Sequence, residues 1–234
     1  MSEAVAAAAK RRGERQRAQT RAALIKAAQR LLAEDRTSVP VLEITELAGV
    51  GIGSFYNHFA TKEDLFQAAV DDALELQGAL LDAWGDDLED PAEVFARSFR
   101  LVGRLHRLEP RYSRVILSQG LGMLSSDRGL APRARRDIER ACAAGRFTSP
   151  DTGTALLIVG GAAMAVGQTI HDHPELDDAA LTDDAARHLL RMLGLSPSDA
   201  DDVCSRPLPT TVELWELVAA AAPAATTSAA TARP

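Results

Sequence analysis

The chain has 234 residues, 46% of them hydrophobic, which is enough apolar material for one large or two small domains with a core. Two cysteines, Cys142 and Cys204, exclude a disulfide framework or a cysteine metal site and point to a reducing compartment. The net charge of −7 argues on average against a nucleic-acid partner, yet Lys10 to Arg30 carries eight basic residues against the single acid Glu14, a local +7 that leaves −14 elsewhere.

Few aromatics and an abundance of Ala, Leu, Arg, Asp and Glu favour helices through low conformational cost, so an all-α protein is predicted. Residues 1–13 are small and basic and are expected to form a disordered tail. From about Glu14 to Glu34, Leu24, Ile25, Ala28, Leu31 and Leu32 recur at helical spacing, with Arg and Gln on the other face. Pro40 interrupts this pattern, and Val41 to Ala48 resumes it as a short helix. Gly49 suits a left-handed cap and Val50 fills the turn. A third short helix follows in which Phe55 and Phe59, four apart, point inward and leave the residues between them facing out. Thr61 with Asp64 three positions on caps a fourth helix, from about Lys62 to Trp84.

Beyond it, Pro91 opens a helix carrying Val94, Phe95, Phe99, Val102 and Leu105, and Pro110 separates it from another. Pro132 to Ala144 is an Arg-rich helix closed by Gly145, and Ser149-Pro150-Asp151 starts an uncharged helix to about Ile170. That stretch is marginal for a membrane span, is diluted by Gly and Thr, and is read as a buried helix. Leu181 to Leu193 is amphipathic and closed by Gly194. From Ser196 the chain reads as loop, with Trp215 pinning a last short helix and residues 219–234 forming a flexible Ala, Thr and Pro tail.

A helix, a tight Gly-containing turn and a second short helix place that second helix in a DNA major groove. The segment VLEITELAGVGIGSFYNHFATKEDL, Val41 to Leu65, resembles the DNA-binding signature of the TetR/AcrR family of regulators. The matching positions are Val41, Ile44, Ala48-Gly49-Val50, Gly53, Phe55-Tyr56, His58-Phe59, Lys62-Glu63 and Leu65. The resemblance is clear from about Arg15 to Leu74, whereas beyond it only helix count and size agree. It implies an all-α fold in which a three-helix DNA head, residues 14–60, precedes a helical-bundle ligand-binding and dimerisation domain, residues 61–218. The residues support it chemically: Gly53 lets backbone approach DNA, and Ser54 can donate to a phosphate. Asn57 can pair with an adenine edge and Ile52 can touch a thymine methyl, while Tyr56 brings a flat face and a hydroxyl. His58 and Lys62 would hold phosphates, and Arg15, Arg17 and Arg21 would follow the backbone or enter a minor groove. Three positions depart from the family pattern: Gly51 replaces a Ser or Thr cap, Pro40 a capping Thr, and Thr45 an Ala, where the hydroxyl gains a DNA contact or packs.

One short helix gives little affinity, so a homodimer reading two operator half-sites is expected, with Thr154–Ile170 and Leu181–Leu193 supplying the interface. The resemblance also implies a small-molecule effector that releases a repressor from double-stranded operator DNA. Trp84, Phe95, Phe99, Val102 and Ile116 are expected to line its pocket, joined by Gln119, Met123, Met164 and Gln168, a mix that predicts a largely apolar, uncharged ligand. His171 and His173 cap or solvate a helix end better than they form a metal site, and His106 and His188 are read as structural. No nucleophile elbow, P-loop or metal triad is present, so neither enzymatic activity nor a cofactor is expected. A cytoplasmic protein without a membrane partner is the expectation.

Overall fold

The computed structural model describes residues 3–85, 88–125, 129–148, 151–210 and 213. These form ten α-helices and a 3₁₀ segment, with no strand among the described residues. The helices are α1 (Glu3–Ala33), α2 (Val41–Ala48), α3 (Ile52–Tyr56), α4 (Lys62–Gly85), α5 (Pro91–Leu108), α6 (Pro110–Leu117), α7 (Leu130–Ala143), α8 (Thr152–Asp172), α9 (Asp178–Met192) and α10 (Pro197–Ser205); the 3₁₀ segment is Gly120–Ser125. The chain divides into two compact units within α4, between Asp72 and Ala73.

In the first unit α1 begins at Glu3, so the residues expected to form a disordered tail are helical where described. The Ala-rich start has the highest helix propensity available and needs no packing to continue the helix. Leu24, Ile25, Ala28, Leu31 and Leu32 are buried, as their spacing predicts. Gln29 Nε2 donates to the Ala69 carbonyl (3.1 Å) and to Asp72 Oδ2 (2.9 Å), fastening α1 to the first half of α4. The cap on α4 is reciprocal: Thr61 N–H donates to Asp64 Oδ2 (3.0 Å) and Asp64 N–H to Thr61 Oγ1 (3.1 Å).

The second unit packs α5, α7, α8, α9 and α10 around a core that includes Phe95, Phe99, Ile138, Phe147, Leu190 and Leu193. Where the sequence read as loop from Ser196, the structure has α10: Ser196 caps it by accepting from Asp199 N–H (3.1 Å), Pro197 occupies its first turn, and Ala200, Val203 and Cys204 are buried. The helix read as a buried one, α8, is buried on one face, through Ala155, Leu156, Val159, Val166 and Ile170; Leu157 and Ile158 are exposed. By length and composition α8 could cross a membrane, but that buried face is packed on protein. Trp215 and the tail from residue 219 lie outside the described residues.

One charged group locks three helices together. Arg100 on α5 is buried, and its Nε and Nη2 donate to the two oxygens of Asp183 on α9 (2.9 and 3.2 Å) while Nη1 donates to the Arg206 carbonyl after α10 (2.9 Å). Arg104 adds a second cation 2.7 Å from Asp183 Oδ1. Burial pushes the Asp183 carboxyl up, but the hydrogen bonds from Arg100 and Arg104 outweigh it and hold it below the ordinary carboxylate value. This stabilisation is therefore present above the unfolded-state pKa and is lost as pH falls through the lower folded value. Asp183→Ala leaves the Arg100 charge buried and unpaired, and is expected to cost about 3 kcal/mol in denaturant unfolding at neutral pH, with a shallower acid dependence than the native protein.

Candidate functional site

Five residues of α3 cannot hold themselves as a helix, so neighbours place it. Gly49 takes φ +67° and ends α2 in the left-handed conformation, its N–H directed at the Thr45 and Glu46 carbonyls, and Gly51 in extended backbone starts α3. Phe55 is fully buried and Phe59 nearly so, with ring centroids 6.1 Å apart. That anchoring turns the other face outward: Tyr56 is 61% exposed, Ile52 half exposed, and Asn57 and Gly53 exposed. A Cβ built on Gly51 or Gly53 meets nothing within 4 Å, so the open face of α3 extends to its backbone.

The basic residues divide by role. Arg17 donates to the Asn57 carbonyl at the end of α3 (3.4 Å), and Arg21 lies over the Phe59 ring, 5.3 Å from its centroid. Both steady α3 while keeping exposed positions beside it. Lys62 sits near the Thr37 and Val39 carbonyls (3.4 and 3.5 Å), holding the loop that leads into α2. His58 is half-buried; burial, then the charges of Arg17 and Arg21, lower its pKa. Ser54 is half-buried. Thr45, considered as a DNA contact, is 1% exposed and donates to the Leu42 carbonyl (2.8 Å), so it packs inside the head.

In the second unit a cavity of about 260 Å³ lies among α4, α5, α6, α7, α8 and the 3₁₀ segment. Phe95, Phe99, Val102, Ile116 and Met164 line it, as the sequence predicts. Three expected residues do not line it: Trp84 packs with Leu80, Leu101 and Leu105 in a cluster whose Leu81 and Val102 reach the cavity wall, Gln119 donates to Ser118 Oγ (3.3 Å), and Gln168 is exposed and donates to Asp172 (2.9 Å). The Met123 side chain lies outside what the structure describes.

The sequence reading missed the polar wall. Asp82 on α4 accepts from Arg133 Nε (2.7 Å) and Arg136 Nη2 (3.0 Å) on α7, and Arg136 Nε also donates to Asp137 Oδ1 (3.2 Å); all four residues line the cavity. Burial pushes the Asp137 carboxyl above its usual value, and Arg136 only partly offsets this. At Asp82 burial acts the same way, but the two arginines outweigh it and lower the pKa. Arg133 lies over Gly78, where a Cβ would strike its guanidinium. Gln77, Ser98, His106 and Arg140 also line the cavity. The usable signal was Asp82 with the Arg133, Arg136, Asp137 spacing, which puts these α7 groups on one helix face.

Residues 24–69 match the profile of bacterial regulatory proteins, tetR family, and residues 90–206 that of a tetracyclin repressor-like C-terminal domain. The crystal structure of RolR in complex with the ligand resorcinol is 36% identical over 84% of this chain and 98% of RolR, with a TM-score of 0.60; RolR without ligand gives 36% and 0.59 over 81% of this chain and 98% of RolR. SmeT, the repressor of the Stenotrophomonas maltophilia multidrug efflux pump SmeDEF, shares the fold at 20% identity and a TM-score of 0.61, over 82% of this chain and all of SmeT. No curated protein matches the sequence.

The open backbone at Gly53 and the left-handed one at Gly49 predict opposite responses to a methyl group. Gly53→Ala is expected to raise unfolding free energy by about 0.5–1 kcal/mol, and Gly49→Ala to lower it by about 1–2 kcal/mol, both read in chemical denaturation.

Proposed function

Starting from the fact that this chain belongs to the tetR family of bacterial transcriptional regulators, we propose that it is a ligand-responsive repressor that binds a palindromic operator as a homodimer and leaves it when a small hydroxylated aromatic compound fills the cavity. The observation that carries the DNA half is the outward face of α3, where Ile52, Tyr56 and Asn57 stand clear of the protein above the buried Phe55. Asn57 and Ile52 read base edges, Tyr56 and Ser54 reach the backbone, and the exposed arginines of α1 add sequence-independent attraction to phosphates. The dimer half is supported by α8: Leu157 is 57% exposed beside Ile158, and α9 leaves Met192 exposed, an apolar surface suited to a second copy.

The effector half rests on the cavity wall. Aromatic and aliphatic side chains suit a flat apolar ring, while the Asp82, Arg133, Arg136 and Asp137 network offers donors and acceptors whose charges already neutralise one another. An uncharged ring bearing hydroxyl groups meets both demands, and RolR, 36% identical, was crystallised with resorcinol. The sequence expectation of a mainly apolar effector is therefore refined to an uncharged but hydroxylated one. Helix α4 links the two activities, because Lys62 near its start holds the loop into α2 while Asp82 near its end stands in the cavity wall.

Fluorescence anisotropy with DNA from upstream of the gene tests the proposal. Resorcinol is expected to weaken operator binding by about 5–150-fold, and operator DNA to weaken resorcinol binding by the same factor. Asn57→Ala is expected to relax preference at one base position by about 1–3 kcal/mol without changing resorcinol affinity. Operator affinity that ignores both resorcinol and the Asn57 change would refute the reading.

A further inference from the structure

The cavity is larger than its ion-pair network requires. Roughly 150 Å³ accommodates an unsubstituted benzene ring, whereas this cavity has about 260 Å³. Its wall also holds a polar group that the network does not use. Gln77 lines the cavity at 7% exposure, and its Oε1 is buried with no hydrogen-bond partner among the described residues. An unmet buried carbonyl is a standing penalty unless something else donates to it.

The position of Gln77 defines a second polar end. It precedes Asp82 by five residues on α4, roughly 7.5 Å along the axis at 1.5 Å per residue. Next to it on the wall is His106, whose Nδ1 is hydrogen-bonded to Ser113 Oγ; that hydroxyl is 2.7 Å from His171 Nε2. Burial, then the neighbouring His171, hold the His106 imidazole pKa down to about 4, so His106 is a polar but uncharged group at neutral pH. A smaller cavity of about 30 Å³ adjoins and shares Gln77, His106 and Ile116 as wall, leaving further room at the same end.

We propose that the effector is a substituted hydroxylated ring whose additional neutral polar substituent, a hydroxyl or its equivalent, is recognised by Gln77, while the Asp82, Arg133, Arg136 and Asp137 network takes the ring hydroxyls. This rests on the effector reading above and specifies which member of that chemical class fits. A hydroxyl substituent suits either orientation of the Gln77 amide, because it can donate to Oε1 or accept from Nε2, and rotation about the terminal side-chain bond is soft.

Isothermal titration of the full-length protein tests this with resorcinol and with resorcinols carrying methyl or hydroxymethyl at ring carbon 4 or 5. For at least one ring position the native protein is expected to bind the hydroxymethyl compound about tenfold more tightly than its methyl partner. Gln77→Met, which removes the unmet carbonyl, is expected to abolish that preference and to melt about 2–4 °C higher without ligand. A native protein that binds resorcinol yet never favours hydroxymethyl over methyl overturns the Gln77 assignment and leaves the effector reading standing, and so does a Gln77→Met variant that retains the preference. A native protein that binds none of the five compounds overturns the effector reading and this inference with it.

Discussion

The burial of Phe55 is the constraint on which DNA reading depends. A helix of five residues has too few internal hydrogen bonds to persist alone, so α3 exists because a fully buried ring holds it down and Gly49 and Gly51 set its entry. Phe59, Arg21 stacked on its ring, and Arg17 on the Asn57 carbonyl extend the same anchoring to the far end of α3. The consequence is directional. With Phe55 inward, the helical period turns Gly53 and Asn57 outward, Tyr56 stands exposed beside them, and Ile52 is exposed because it opens the helix, while the absence of a side chain at Gly53 keeps backbone available among them.

The second unit solves a different problem, that of keeping charge inside an apolar body. Isolated, Arg100 or Asp137 would be costly at these depths, and each is met by partners. The two clusters nevertheless differ in kind. Arg100 and Asp183 are closed on each other in two-point contact with a carbonyl completing the set, an arrangement whose consequence is rigidity. Asp137 accepts from Arg136 and has a carboxyl displaced upward by burial, on a cavity wall. The first is a structural lock, and the second faces a cavity, which is why the proposed function places effector recognition there.

Much of this was legible in the sequence wherever the signal is local. Gly49 as a left-handed cap, the Thr61 and Asp64 cap and the Phe55 and Phe59 pair depend only on neighbours within a turn or two, and they appear where spacing placed them. The same kind of local signal, Ser196 three residues before Asp199, marks the start of α10, although the acidic, Pro-containing segment reads as loop by composition. The polar cavity wall was hidden for another reason. Arg133 and Arg136 on an Arg-rich helix look like a solvated face, and only tertiary packing of α7 on α4, made possible where Gly78 admits the Arg133 guanidinium, turns that face toward a cavity. Gln168 failed in the opposite sense, since uncharged neighbours in sequence suggested burial on a face that is open.

Coupling between the two halves then has a specific physical requirement. An effector changes DNA affinity only by the difference in its affinity for two arrangements of the protein, so its contacts must include a part that moves. Contacts confined to the Arg100 and Asp183 lock would bind without signalling, because those groups are fully occupied in one geometry. Asp82 is different: it lies on α4, the same continuous helix whose first turn holds the loop into α2 through Lys62 and whose next turns are tied to α1 through Gln29. A hydroxyl that competes for Asp82 or Arg133 alters the forces on α4 itself, and a helix transmits displacement along its axis more faithfully than a loop does. On the proposed reading, the polar network stands where effector contacts bear on α4 directly, at Asp82, as do the apolar contacts of Leu81.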